Sequence, residues 1–160
     1  LQIARTFAVS PVLDPRRTML QLESGSLVYH KYFVIKWSRS LRKKQAAWPG
    51  AYRFGPVMRS GSLSRMTAEL VREHTAFPDM DAYLAGYAVT GERLSSIAAP
   101  ATILTAMDDP IIAADDLRRL SFTGPLRVRL TRGGGHCGYL TSLSGSSWAD
   151  RAILDDFGSG

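Results

Sequence analysis

The feature that most constrains the fold is a continuous apolar run, ATILTAM, at residues 101–107. Pro100 precedes it and Asp108-Asp109-Pro110 ends it, so its length suits a strand and not a membrane span. A strand that is apolar on both faces must be covered on both faces, which is typical of parallel sheets packed between helices. The run therefore predicts a strand of a parallel α/β sheet.

The sequence around this run has the same alternating organisation. Residues 113–120 read as a short helix, 126–130 (LRVRL) as a strand near a sheet edge, and 148–157 as a closing helix. Residues 3–9 (IARTFAV) read as a further buried strand before the turn Ser10-Pro11. Strand, helix, strand and helix in succession predict an α/β class with a parallel sheet and crossover helices.

The middle of the chain is helical in pattern. Asp14-Pro15 suits a helix start, with a first helix to about Glu23 and a long amphipathic helix over 27–47. Residues 50–62 are expected to form a loop or lid, followed by helices over 66–74, capped by Ser62 or Ser64, and 79–89, and one more turn over 94–97. The expected organisation is a core strand and turn at 1–13, a helical cap or lid at 14–99, and an α/β core at 100–160.

Two polar motifs follow the two C-terminal strands. Asp108 and Asp109 come directly after the apolar run, and His136 follows the next strand behind three glycines. The carboxyl ends of parallel strands share one sheet edge, so these side chains are expected to meet there. A histidine base needs a carboxylate to hold its tautomer, and hydrolases of this class order the triad as serine, acid, histidine.

Taken alone, each motif has a plainer interpretation. Asp-Asp-Pro is often a turn with a helix cap, and Gly-Gly-Gly-His is often only a loop. A metal site is not expected, because His30, His74 and His136 lack ligand spacing, and no cofactor is predicted. The two motifs together, in this order, favour catalysis over the plain interpretation.

PATILTAMDDPII and RLTRGGGHCGYL resemble the C-terminal part of α/β-hydrolase-fold esterases, most nearly the YheT-type branch. AVSPVLDP, the YHKYF helix and residues 77–100 are similar to that branch as well. The resemblance implies a carboxylester hydrolase with Asp109 as triad acid, Asp108 as the alternative acid, His136 as base, and a small ester or lipid-like substrate under a helical cap.

The family's G-x-S-x-G nucleophile motif is missing. Its frame of flanking glycines fails at each of Ser26, Ser62, Ser64, Ser142 and Ser144. Leu1 lies at the start of a strand-like segment, so the chain is expected to be a C-terminal portion that needs a missing N-terminal half. Alone it is expected to be inactive, and poorly soluble or oligomeric. The alternative is a non-catalytic remnant or an interaction module that needs a partner chain.

The chain has a formal charge of +6, and several of its basic residues are concentrated in one segment. A basic cluster surrounds Trp37 and Trp48, which indicates either a solvated helix face or contact with anionic lipid headgroups or an acidic substrate. No nucleic-acid signature accompanies the cluster. Its members are Lys36, Arg39, Arg42, Lys43 and Lys44.

Smaller features complete the expectations. Cys137 is the single cysteine, expected to be a buried structural thiol, and its isolation favours a cytoplasmic location, with peripheral membrane contact left open. A group of aromatic residues is expected mainly to pack, with an acyl-pocket role open for one or two. They are Tyr29, Tyr32, Phe33, Tyr83 and Tyr87.

Overall fold

A computed structural model of the chain describes residues 3–122, 124–142 and 145–158. Its elements form two compact units, a sheet unit of Leu1–Asp14 with Val89–Gly160 and a helical unit of Pro15–Ala88. Residues 89–99, assigned to the cap from the sequence, belong to the sheet unit. A backbone hydrogen bond from Val89 N–H to the Leu13 carbonyl, 2.9 Å long, joins the two chain segments of that unit.

The sheet unit is built on three parallel strands in the order β1-β2-β3. The strands are β1 (Thr6–Val9), β2 (Ala101–Ala106) and β3 (Leu126–Thr131), and helix α6 (Trp148–Gly158) closes the chain. Two 3-10 turns, Glu92–Leu94 and Ala114–Arg119, precede and follow β2. The mixed α/β class expected from the sequence is confirmed, with β2 as the inner strand.

Alternating residues of the strands contribute to two separate clusters. Leu104 and Ala106 of β2 pack with Phe7, Val9, Tyr139 and Ala149. Ile103 packs in the other cluster with Leu13, Leu126 and Ala8. Since successive strand residues point to opposite faces, both faces of β2 are covered, which explains why its sequence is a continuous apolar run.

The helical unit contains five helices: α1 (Pro15–Ser24), α2 (Leu27–Ala47), α3 (Gly55–Arg59), α4 (Leu63–His74) and α5 (Met80–Tyr87). Its core joins Leu41, Phe54, Val57 and Met66. Two starts are capped by side chains: Ser62 Oγ accepts from Arg65 N–H at 3.3 Å, and Asp79 Oδ1 from Ala82 N–H at 2.7 Å.

The expectation of a loop or lid over 50–62 did not include a helix there. Residues 55–59 form the short helix α3, which begins at Gly55-Pro56 and places Val57 fully inside the core. Proline near a helix start is favourable, because its missing N–H would have no partner there. The Gly- and Ser-rich composition of residues 50–62 is typical of a loop, so α3 was not predicted.

Candidate functional site

The carboxyl ends of the three strands bring polar residues to one edge of the sheet. Ser10 follows β1, Asp108 and Asp109 follow β2 after Met107, and the loop of residues 132–139 follows β3. Because all neighbours are parallel, these segments leave the sheet on the same side. The edge is the place where the sequence predicts a site.

The Asp109 carboxylate divides its hydrogen bonds between its two oxygens. Oδ1 accepts the backbone N–H groups of Ile111 and Ile112 at 2.8 and 2.9 Å. Oδ2 lies 3.1 Å from Nδ1 of His136. The side chain of Asp109 is 0% exposed, so these partners replace the water it loses on burial.

The contact with Asp109 determines which ring nitrogen of His136 carries the proton. An ionised carboxylate only accepts hydrogen bonds, so Nδ1 of the imidazole donates. Nε2 is therefore the nitrogen that remains available to accept a proton. The His136 side chain is 30% exposed, so the ring is held from one side and open on another.

Asp108 makes different contacts. Its carboxylate accepts the N–H of Gly135 at 2.9 Å and of Gly134 at 3.4 Å, and its side chain is exposed. The partner of His136 in this geometry is Asp109, and Asp108 holds the glycine turn against the end of β2. The two carboxylates thus position the same loop at two points, one through the backbone and one through the imidazole.

The glycines of the turn have a conformational reason. Gly134 has φ +154° and Gly135 has φ +57°, both unfavourable for residues with a side chain. A Cβ added to Gly134 would lie 2.5 Å from the ring of Tyr139, and the Tyr139 N–H donates to the Gly134 carbonyl at 2.9 Å. The turn closes on itself only because this position has no side chain.

Tyr139 and Ser10 belong to this edge but were not predicted as site residues. Tyr139 is buried, has φ +47°, and places its hydroxyl 3.4 Å from Oγ of Ser10, whose φ is +43°. Burial raises the pKa of the Tyr139 hydroxyl above its ordinary value; the contact with Ser10 opposes this rise and the nearby charge of Asp109 adds to it. In sequence terms Ser10 and Tyr139 look like an ordinary turn serine and core aromatic, so no local signal distinguishes them.

The position of Cys137 contradicts the expectation of a buried structural thiol. It is exposed and not buried, with φ +65°, and its thiol approaches the Val9 carbonyl at 3.9 Å. The sharp turn that presents His136 also turns the next side chain outward. In the aromatic group, Tyr29, Tyr32 and Tyr87 are exposed, although the Tyr32 ring lies 5.7 Å from that of Phe33 and the Tyr87 ring 5.0 Å from that of Tyr83.

The serines considered as nucleophiles occupy other positions. Ser62 caps α4, Ser64 Oγ donates to Glu23 at 3.0 Å, and Ser26 precedes α2. Ser142 lies in the segment before α6, and Ser144 lies outside the described residues. None of the four described serines follows a strand directly.

Ser10 does follow a strand, yet it lacks the flanking glycines of the G-x-S-x-G nucleophile motif. Ala8 and Val12 stand at those two positions, and no helix begins until Pro15. The hydroxyl is buried against Tyr139. Ser10 therefore lies at the carboxyl edge of the sheet without the local sequence of that motif.

The described residues contain no group of three or more His, Cys, Asp or Glu side chains arranged to hold a metal ion. Within the same residues, no helix combines the length and apolar character required to cross a bilayer.

Comparison with known proteins returned no match: no protein-family model, no curated protein and no solved structure is significantly similar to this chain.

Proposed function

We propose that this chain supplies the acid and the base of a serine ester hydrolase, with Asp109 as acid and His136 as base. The observation that carries the proposal is the 3.1 Å contact between Asp109 Oδ2 and His136 Nδ1 at the carboxyl edge of a parallel sheet. The order of the two motifs and their resemblance to α/β-hydrolase-fold esterases support it. The nucleophilic serine is proposed to lie outside these 160 residues.

The pair would move one proton in each half of the reaction. Nε2 of His136 takes the proton of the serine hydroxyl as its oxygen bonds to the ester carbonyl carbon. The imidazolium then returns that proton to the leaving alcohol as the ester C–O bond breaks. Water is deprotonated by the same nitrogen, attacks the acyl-enzyme, and the serine oxygen recovers the proton as it leaves. Asp109 stays ionised throughout and stabilises the imidazolium.

Burial of Asp109 suits this role. Two backbone N–H groups and the imidazole stabilise its charge without water, so the carboxylate is pre-oriented before substrate arrives. The partial exposure of His136 leaves a route for an ester to reach Nε2. A small ester or lipid-like molecule is the proposed substrate, and no cofactor is part of the proposal.

A first experiment reads the coding region upstream of Leu1. A strand pattern followed by G-x-S-x-G within roughly 150 residues, as the spacing of such domains suggests, would support the hydrolase. If the upstream region encodes no such motif, the hydrolase proposal for this gene product is wrong.

A second experiment tests the chemistry on a chain extended to include that motif. We expect hydrolysis of a p-nitrophenyl ester, and loss of about 10⁴-fold in kcat for Asp109→Asn, since the amide would hold the wrong imidazole tautomer. His136→Ala should lose at least as much. His30→Ala, a histidine of the helical unit, is the control and should retain activity.

A third experiment uses residues 1–160 alone with a fluorophosphonate probe. We expect no labelling, because the proposal places the activated serine outside these residues. Labelling abolished by Ser10→Ala would instead identify Ser10 as the nucleophile and overturn the assignment.

The alternative proposal is an interaction module or non-catalytic remnant. A specific observation favours it: within the described residues no strand pairs with the outer edge of β1. A partner strand from another chain, or from the rest of the same protein, would satisfy that edge. Catalytic activity of the extended chain that depends on His136 would exclude the non-catalytic interpretation.

A further inference from the structure

Helix α2 concentrates the positive charge of the protein. It contains six Lys or Arg residues and no Asp or Glu, while the formal charge of the whole chain is +6. The rest of the chain therefore has equal numbers of acidic and basic side chains. A helix that carries the entire excess charge is a candidate surface for an anionic partner.

One face of α2 is used by the fold. Leu41 and Ser38 are buried, and Val34 and Trp37 pack against the Phe54–Met66 core of the helical unit. Gln45 Oε1 also accepts the Phe54 N–H at 2.7 Å. These positions recur at helical spacing, so the opposite face is exposed along the length of the helix.

The exposed face is apolar in its first half. Val28 is 76% exposed, Tyr32 52% and Ile35 51%, and they share one line along the helix. Single exposed apolar residues are common, but an aligned row of them favours a partner with apolar character.

The exposed face is basic in its second half. Four of the five cluster residues line a shallow groove around Ser40: Lys36, Arg39, Arg42 and Lys43. The fifth, Lys44, lies over the Tyr52 ring at 4.4 Å and so contributes to packing. Lys36 Nζ lies 5.4 Å from the ring centre of Tyr32, which joins the two halves into one surface.

From this arrangement we propose that the exposed face of α2 is an interfacial membrane-binding surface for anionic phospholipid. The aliphatic and aromatic side chains enter the boundary between headgroups and acyl chains, and the four cations contact lipid phosphates. An aromatic ring such as that of Tyr32 is favourable at that depth. A nucleic acid would satisfy the cations but leave Val28 and Ile35 against a charged backbone. The proposal is independent of the hydrolase assignment.

The test measures binding of the 160-residue chain to vesicles by flotation in a density gradient, where vesicle-bound protein rises and self-associated protein sediments. One set of vesicles is phosphatidylcholine, and the other has about one third phosphatidylserine. We expect binding to the anionic vesicles that weakens with added salt. Equal binding to both sets, or to neither, would overturn the proposal.

Two variants separate the halves of the surface. Each cation near an anionic surface contributes about fivefold to partitioning, so neutralising four should weaken binding on the order of 100-fold or more. The variant is Lys36→Gln with Arg39→Gln, Arg42→Gln and Lys43→Gln. A second variant, Val28→Ser with Tyr32→Ser and Ile35→Ser, retains every charge and should also weaken binding, because insertion is lost.

A matched control removes the same charge from exposed positions elsewhere. Apart from the general loss caused by the lower net charge, the vesicle affinity of this control should stay within about threefold of that of the parent chain. An equal loss in the control would mean that net charge, and not α2, attracts the vesicle. The control combines Arg53→Gln, Arg65→Gln, Arg127→Gln and Arg151→Gln.

A competing class of partner is an outcome of the same design. If heparin or polyglutamate binds the chain as tightly as anionic vesicles do, and the triple serine variant binds vesicles normally, the surface recognises acidic polymers and the lipid proposal is wrong. Circular dichroism of each variant verifies that α2 still forms, since glutamine and lysine have similar helix propensity.

Discussion

At the scale of single residues, Asp109 depends on both of its oxygens. Oδ1 satisfies two buried N–H groups and Oδ2 contacts His136, so substitutions separate the structural part from the proton-handling part. Asparagine retains an acceptor for the backbone, whereas alanine leaves both N–H groups without a partner. The residue is 6% exposed, so water cannot replace the carboxylate.

We expect Asp109→Ala to lower the free energy of unfolding by about 2 to 4 kcal/mol, from two unsatisfied buried donors. Asp109→Asn should lose about 1 kcal/mol. Urea unfolding of the two variants measures the difference. The control is Asp108→Ala, whose exposed carboxylate should contribute less than about 1 kcal/mol; equal losses for both alanine variants would contradict the burial argument.

Gly134 gives a second prediction at this scale. A Cβ at this position would lie 2.5 Å from the Tyr139 ring, with φ at +154°. Gly134→Ala should therefore cost about 2 to 4 kcal/mol through strain and overpacking. At Gly133 the nearest atom would be 3.5 Å away, an ordinary contact, and Gly133→Ala should cost less than about 1 kcal/mol.

The NMR signals of the His136 ring provide a second measurement for the glycine pair. They should shift in the Gly134→Ala variant, because the turn that presents the imidazole must open, and stay near their parent positions in Gly133→Ala. Similar stability for the two variants would mean that the turn does not depend on the Gly134 conformation.

At the scale of elements, one buried carboxylate of α6 adds polar contacts to the apolar packing of this helix on the sheet. Asp156 accepts the Thr102 hydroxyl at 3.1 Å, and lies 3.5 Å from Arg129 Nη2 and 3.6 Å from Arg5 Nη1. It is 4% exposed, and Arg5 also donates to its backbone carbonyl. These contacts join α6 to β2, to β3 and to the residue that precedes β1.

We expect Asp156→Ala to destabilise the sheet unit by about 2 to 3 kcal/mol. Breaking a fully buried pair costs more, but Arg5 and Arg129 are 22% and 36% exposed and partly screened. Asp150→Asn, at an exposed position in the first turn of the same helix, should change stability by less than about 1 kcal/mol. Thermal unfolding compares the two, and a neutral Asp156→Ala would show that α6 packs without this ion pair.

At the scale of the whole molecule, the two edge strands of the sheet differ in protection. β3 alternates apolar residues with Arg127 and Arg129, which discourages pairing, whereas β1 (TFAV) has no charge. Thr6 N–H and Ser10 N–H donate to the β2 side, so the backbone groups of Phe7 and Val9 face the outer edge.

We therefore expect the 160-residue chain to self-associate or precipitate through β1. Thr6→Lys, an exposed edge position, should raise the monomer fraction severalfold in size-exclusion chromatography with light scattering. Ala68→Lys adds the same charge to the exposed side of α4 and should have little effect. A cooperatively unfolding monomer of the parent chain would contradict the prediction.

The local elements followed closely from the sequence. Helix α2 has the predicted bounds 27–47, α1 begins at Pro15, and β2 occupies the apolar run after Pro100. Caps, proline positions and hydrophobic period are local properties, so sequence reasoning can find them. Helix α3 and the exposure of Cys137 were not predicted, because turn chemistry and backbone strain leave weaker patterns in the sequence than caps and hydrophobic period do.

By itself, the sequence determined the α/β class, most of the helices and strands, and the placement of the Asp108-Asp109 and His136 motifs at one sheet edge, because parallel strands have a common carboxyl end. Only the tertiary structure decided that Asp109 contacts the imidazole while Asp108 holds the glycine turn, since adjacent residues have the same local pattern. It alone also showed that Ser10 and Tyr139 reach this edge and that one face of α2 is left uncovered. Those outcomes depend on contacts between residues distant in sequence, and hydrophobic period and motif spacing do not encode which side chains such contacts bring together.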